Sequence, residues 1–271
     1  MNIKSILCAY SGDGALGSGL AHAIKLADHH TAHLTGVLRH GRPMLEQRFA
    51  AQVPTKLLEQ LHQADTDHII EVKGRFNKAV AGAGLEGQSK FVELDPATDG
   101  PLTEFARGFD LVVTGVHSEA ANEAHLTANP DMIALKSGRP VLVVPNGYAA
   151  KGLAERALVA WDGKRSAARA IGDAMAILES KAGVTLLSVG KTPRGTAQLI
   201  ENMQRHGIDV TARTVKKKHS ISDTILAEAE TTGSGLIVMG AYEHSKFAHD
   251  LMGGVTTDVI RDTRVPVFMS H

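Results

Sequence analysis

The chain has 271 residues, 43% of them hydrophobic, 21% charged and only 4% aromatic. That length suits two globular domains, and cores built from Ala, Val, Leu and Ile suit helices packed on a parallel sheet. The 29 basic and 29 acidic residues cancel, so nothing global points to nucleic acid or an anionic membrane, and no segment approaches the ~18 unbroken apolar residues of a membrane span.

The opening MNIKSILCAY runs directly into a strand without a sustained apolar stretch. No signal peptide is therefore predicted, and a cytoplasmic location is expected. The lone Cys8 cannot form an internal disulfide and reads as a small buried thiol. ILCAYSG at 6–12 then returns as ALVAWDG at 157–163, a shift of 151, and the same shift carries HLTGVL (33–38) onto VTLLSV (184–189). Further on, DLVVTG (110–115) matches GLIVMG (235–240) at a shift of 125, and PVLVVP (140–145) matches PVFMSH (266–271) at 126. Ordered matches at three shifts indicate a tandem duplication. The drop from 151 to 125 assigns about 26 extra residues to copy one, within roughly 41–90. That stretch reads as a helix through EQRFAAQVPTKLLEQLHQ (46–63) followed by a second amphipathic piece near GRFNKAVAGAGL (74–85).

Each copy reads β-α-β-α-β-α-β-α-β. In the second, strands are predicted near 156–161, 183–189, 208–214, 235–239 and 265–269, and helices near 164–179, 193–206, 220–232 and 253–263. Short apolar strands alternating with helices predict an α/β fold: two tandem open-sheet, Rossmann-like domains, each with a five-stranded parallel sheet and helices on both faces. The expected domains are 1–147 and 153–271, joined by the Gly-Tyr-Ala-Ala-Lys-Gly linker at 147–152.

In such a sheet ligands bind beyond the C-terminal strand ends, where the strand order reverses. In copy two this selects Asp162-Gly163, Val189-Gly190, and the segment from Gly240 to Ile260. Within that segment Gly253-Gly254-Val255-Thr256-Thr257 opens a helix. Paired glycines admit close approach of a ligand to the backbone, and free N–H groups favour an anion. The same spacing equally fits a glycine turn with a threonine cap and no ligand.

The second copy resembles the universal stress protein family, which carries G-x2-G-x9-G-[ST] after its fourth strand, an Asp after its first, and a P-V-[LVI] final strand. Asp162, Gly240, Gly253, Val255-Thr256 and Pro266-Val267 stand in that register. The similarity covers almost all of 156–271 and extends more weakly over 3–146. It implies an adenine nucleotide alpha hydrolase-like fold. It also implies that, as in ATP-binding members, the Asp meets ribose, the end of the second strand meets adenine and the glycine loop wraps the phosphates, roles that fall by position on Asp162, Val189, Met239, Gly240, Gly253, Gly254, Val255 and Thr256. Two positions depart from the motif: Glu243 replaces its second Gly, and Gly254 replaces its Ser or Thr. A carboxylate beside a polyphosphate costs about 1 kcal/mol or more, and the missing hydroxyl removes roughly 0.5–1.5 kcal/mol. Glu243 could point into water or hold a Mg²⁺ that offsets its charge, and AMP or ADP survives these departures better than ATP. In copy one Ser11 replaces the Asp and Asn129-Pro130 replaces the glycine pair, so no nucleotide is expected there.

The expected protein is thus a stress-response binding protein, with ATP, ADP or AMP as candidate ligand and with no catalytic or metal-ligating set. Its partners are expected to be neither nucleic acid nor membrane. The terminal strands of the two copies would pair about a pseudo-twofold axis, and a homodimer is a further candidate. Two alternatives stand beside it. One is a slow ATPase or nucleotide-dependent transferase using Glu243, His244 or Asp250; the other is an interaction module with both sites dead. The 14 histidines show no metal-binding spacing. SGDGALGSG (11–19) lacks the G-K-[ST] ending of a phosphate loop. Lys216-Lys217-Lys218-His219 reads as a solvated strand end leading into a capped helix.

Overall fold

Each apolar strand alternates buried side chains between two faces, and that alternation builds the architecture. The structure is a computed structural model that describes residues 3–10, 18–39, 54–95, 98–115, 130–149, 152–241 and 254–271. The first half comprises β1 (Ser5–Ala9), α1 (Ser18–His30), β2 (His33–Arg39), α2 (Thr55–Gly82), β3 (Ser89–Leu94), α3 (Leu102–Phe105), β4 (Leu111–Gly115), α4 (Pro130–Lys136) and β5 (Val141–Val144). The second comprises β6 (Arg156–Ala160), α5 (Arg165–Leu178), β7 (Val184–Val189), α6 (Thr196–Arg205), β8 (Val210–Val215), α7 (Ile221–Thr231), β9 (Ser234–Gly240), α8 (Val255–Asp262) and β10 (Val267–Ser270).

The strands form one ten-stranded sheet in the order β3-β2-β1-β4-β5-β10-β9-β6-β7-β8. Every neighbouring pair is parallel except β5 and β10, which run antiparallel with Val143 opposite Val267, Leu142 opposite Phe268 and Val141 opposite Met269. The two five-stranded parallel sheets therefore join edge to edge through their last strands. This covers two strand edges that would otherwise expose unpaired backbone groups. One sheet face packs Ile6, Cys8, Leu142, Val159, Val238 and Phe268 under α1, α2, α5 and α6. The other packs Leu7, Val112, Val143, Leu158, Ile237 and Met269 under α3, α4, α7 and α8. Both apolar layers run across the β5–β10 seam, which makes the seam part of the core. Cys8 is buried. No helix among the described residues is long and apolar enough to cross a membrane.

The extra length of copy one differs from its sequence reading. In place of two pieces, a single 28-residue helix runs from Thr55 to Gly82 and buries Ile69, Val72, Phe76 and Val80. Pro54 explains the start: it lacks an N–H and disfavours helix at the residue before it, so it serves as N-cap rather than helix interior. Gly74 has open space around its Cβ position and is carried within the helix. The helix docks by its C-terminal half, where the Phe76 ring lies over Gly36 of β2 at a distance that leaves no room for a Cβ. The part of the reading at 46–53 lies outside the described residues.

The chain between the halves is held from both sides. The Tyr148 hydroxyl donates to Glu155 Oε2 at 2.8 Å and lies 3.3 Å from Gly235 O, and the Lys181 ammonium donates to Leu153 O. From the first half, the His22 ring sits 5.8 Å from the Tyr148 ring. His22 is 8% exposed and its Nδ1 has no hydrogen-bond partner among the described residues. Burial, then the charges of Lys181 and Lys25, lower its pKa from 6.5 to about 4. Burial likewise brings Lys181 down to about 8, against the opposing pull of Glu155.

Candidate functional site

In the second half the order β10-β9-β6-β7-β8 places the reversal between β9 and β6: the chain leaves β6 toward β7 and β8, then returns on the other side. The C-terminal ends of β9, β6 and β7 therefore stand side by side on one sheet edge. Gly240 closes β9, Val189 closes β7, and Asp162 follows β6 by two residues. Three residues far apart in sequence thus share one crevice mouth, the position where open α/β sheets take ligands.

Each residue has its own local cause. Asp162 is exposed, and its Oδ1 accepts the Lys164 backbone N–H at 3.0 Å while Oδ2 lies 4.0 Å from the Lys164 ammonium. This short turn starts α5 and leaves the carboxylate at the rim. Gly163 takes φ +80°, and a Cβ there would come within 2.6 Å of Pro193 Cβ; glycine is thus required for the loops after β6 and β7 to touch. Val189 is half-buried. Met239 is 4% exposed and belongs to the apolar layer beneath α7 and α8, so only its backbone can face a ligand. A Cβ on Gly240 would sit 2.5 Å from Ala167 N and 2.6 Å from Ser166 Oγ. The first turn of α5 is packed onto this glycine, a packing demand that exists with or without a ligand.

Gly253 and Glu243 lie outside the described residues, as do His244 and Asp250. Gly254 is the N-cap of α8 at φ 142° and ψ 168°, with no side-chain cap; only glycine adopts that conformation without strain. Val255 and Thr256 form the first turn of α8. Thr256 is buried, and the buried Thr257 hydroxyl has no hydrogen-bond partner among the described residues. Gly254 supplies no side-chain cap of its own to α8, and a helix N-terminus favours an anion. In copy one, Ser11 and Asn129 fall outside the described residues, while Pro130 opens α4, where its missing N–H costs nothing.

Sequence reasoning passed over Trp161. It is buried between β6 and Asp162, its Nε1–H donates to Thr196 Oγ1 at 3.0 Å, and that hydroxyl donates to Pro193 O at 2.7 Å. The indole thereby fixes the loop after β7 beneath the site. Its signal was available: it is the chain's single tryptophan, next to the candidate Asp. The lysine run after β8 leads into α7, where Ser220 Oγ accepts the Asp223 N–H at 2.9 Å, the capped helix read from sequence.

The model of the universal stress protein family matches residues 191–271. Universal stress protein Slr1230 of Synechocystis sp. is 28% identical over 184 residues, covering 61% of this chain and 59% of that protein. Among solved structures, a universal stress protein from Archaeoglobus fulgidus superposes with a TM-score of 0.73 at 16% identity, covering 98% of this chain and 95% of that one. A putative universal stress protein from Pseudomonas aeruginosa reaches 0.57 at 14% identity, covering 99% and 93%. At those identities the structural matches speak to the fold. The chain has the Rossmann-like α/β fold of the solved universal stress proteins, and its residues 191–271 match that family's model. The alignment with Slr1230 spans about three-fifths of that protein's length.

Proposed function

We propose that this chain is a stress-response binding protein, not an enzyme, built of units 1–147 and 153–271, and that the second unit holds an adenine mononucleotide. Asp162 takes ribose hydroxyls, Val189 and the Met239 backbone flank the adenine, and Gly240, Gly253, Gly254, Val255 and Thr256 receive the phosphate. The first unit, with Ser11 and Asn129-Pro130 at its counterpart positions, serves as scaffold and pairing surface. One observation carries this reading: Asp162, Val189 and Gly240 share one sheet edge at the reversal of strand order, followed in the chain by the glycine-capped start of α8.

Isothermal calorimetry with AMP, ADP and ATP tests it. AMP and ADP are expected to bind more tightly than ATP, because Glu243 stands in the loop expected to wrap the phosphates. Asp162→Ala should weaken all three, and Glu243→Gly should strengthen ATP most. No heat and no thermal shift at millimolar nucleotide would overturn the reading, and the opposite order among the variants would show the site is misplaced.

A further inference from the structure

The chain is neutral overall, but its charge is not evenly spread: residues 1–150 carry 13 basic and 16 acidic side chains, and 151–271 carry 16 and 13. Part of the surplus of the second half gathers at the candidate site. The loop after β6 carries Lys164 and Arg165, and the loop after β7 carries Lys191 and Arg194; all four are exposed. These loops leave neighbouring parallel strands, about 4.8 Å apart. They meet where Gly163 touches Pro193, so closely that a Cβ on the glycine would be 2.6 Å from the proline ring. The hydrogen bond from Trp161 to Thr196 ties the second loop down from beneath. The four cations therefore stand on one fixed rim.

Only one carboxylate, that of Asp162, stands among them on these two loops, and it is already engaged by the backbone and ammonium of Lys164. Arg165, Lys191 and Arg194 form no ion pair among the described residues. Two helices begin at this rim, α5 and α6, and neither has a side-chain cap. Their first-turn N–H groups add positive potential at the same place. The opposite end of the site has changed in the other direction: Glu243 and Gly254 replace a glycine and a hydroxyl in the motif that would wrap a 5′-phosphate chain. The motif thus offers less to an anion at the phosphate end, while four exposed cations gather at the ribose end. In dinucleotide folds, a basic residue beside the ribose carboxylate is what accommodates a ribose phosphate.

We propose that the site selects an adenine nucleoside phosphorylated on its ribose as well as at the 5′ position, with Lys164, Arg165, Lys191 and Arg194 receiving the ribose phosphate. This rests on the adenine-nucleotide reading above. A phosphate monoester is close to doubly charged at neutral pH, and arginine meets it with paired donors. Asp162, shielded by Lys164, orients the remaining ribose hydroxyl.

Calorimetry at low ionic strength with AMP, ADP, adenosine 2′,5′-bisphosphate and adenosine 3′,5′-bisphosphate tests the proposal. ADP has the same number of phosphates, all at the 5′ position, and is the matched control. One of the two bisphosphates should bind about tenfold more tightly than ADP, in line with one or more charge-assisted contacts. Added salt should narrow that gap. In the double variant Lys191→Ala/Arg194→Ala, whose fold is checked by its melting curve, the gap should shrink to about twofold while AMP binds as in the wild type. Binding of AMP and ADP with no preference for either bisphosphate overturns this inference and leaves the preceding one intact. A preference that persists in the double variant also overturns it, because the phosphate is then held elsewhere. Failure of every adenosine compound to bind overturns both.

Discussion

Acidification should weaken the junction between the halves through a single buried imidazole. His22 lies on α1, is 8% exposed, and faces Tyr148 of the connecting segment with the Lys181 ammonium near it. Burial and the neighbouring ammonium groups keep it neutral in the fold until about pH 4, whereas in the unfolded chain it takes a proton near 6.5. A folded-state pKa held below the unfolded one means that the contribution is present in full above pH 6.5. It is lost as pH falls toward 4, because only the unfolded state gains the proton in that window. At 1.36 kcal/mol per pH unit, the loss between pH 7 and pH 4 amounts to about 3 kcal/mol. The assay is urea unfolding of the wild type and His22→Leu at pH 7, 6, 5 and 4. Carboxylate titrations contribute to both proteins alike, so the difference between them isolates the imidazole. The stability of the wild type relative to the variant should fall by about 3 kcal/mol across the series, most of it between pH 6 and pH 4. Parallel curves for the two proteins would refute the reasoning and place His22 in contact with water.

Gly240→Ala should cost about 1–3 kcal/mol in urea unfolding even without ligand, because the added carbon meets the backbone of Ala167 and Ser166; an unchanged midpoint would show that α5 does not press on the strand end. Arg213 pairs with the carboxylate of Glu228, whose side chain is 8% exposed, at 2.5 Å. Arg213→Ala should therefore cost about 1–3 kcal/mol by leaving that carboxylate without its partner, and adding Glu228→Gln should recover part of the loss; equal stability of the single and double variants would contradict the pairing. Ser220→Ala should cost about 1 kcal/mol through loss of the α7 cap, read as a shift in melting temperature; a shift as large as that of Gly240→Ala would show that Ser220 does more than cap.

Local chemistry made the elements of the second half readable. The strand expected at 183–189 runs from Val184 to Val189, and the helix expected at 253–263 runs from Val255 to Asp262. Both are bounded by glycine or proline and patterned by burial on the sheet, features written within ten residues of each other. The copy-one helix was misjudged because amphipathic periodicity continues through Gly74 but is interrupted at Pro54, so the break lies before Thr55. The clash distances at Gly163 and Gly240, the seat of Trp161 under the loop after β7, and the burial of His22 against Tyr148 are long-range contacts with no local signature. The candidate site was only half legible for the same reason. Asp162 and Gly240 stand in the family's register, whereas the meeting of Lys164, Arg165, Lys191 and Arg194 on one rim depends on the contact of two loops whose residues are about thirty apart in sequence.

On the proposed function, the duplicated fold keeps its ligand site in the second copy alone. The most direct measurement is a titration of the isotope-labelled protein with AMP, followed through its backbone amide resonances. Shifts are expected at Asp162 and Gly163, at Val189 and Gly190, and from Gly254 to Thr256, with the counterpart positions near Gly115 and Met132 unmoved. Shifts centred on the first copy, or no shift in either copy at millimolar AMP, would contradict it.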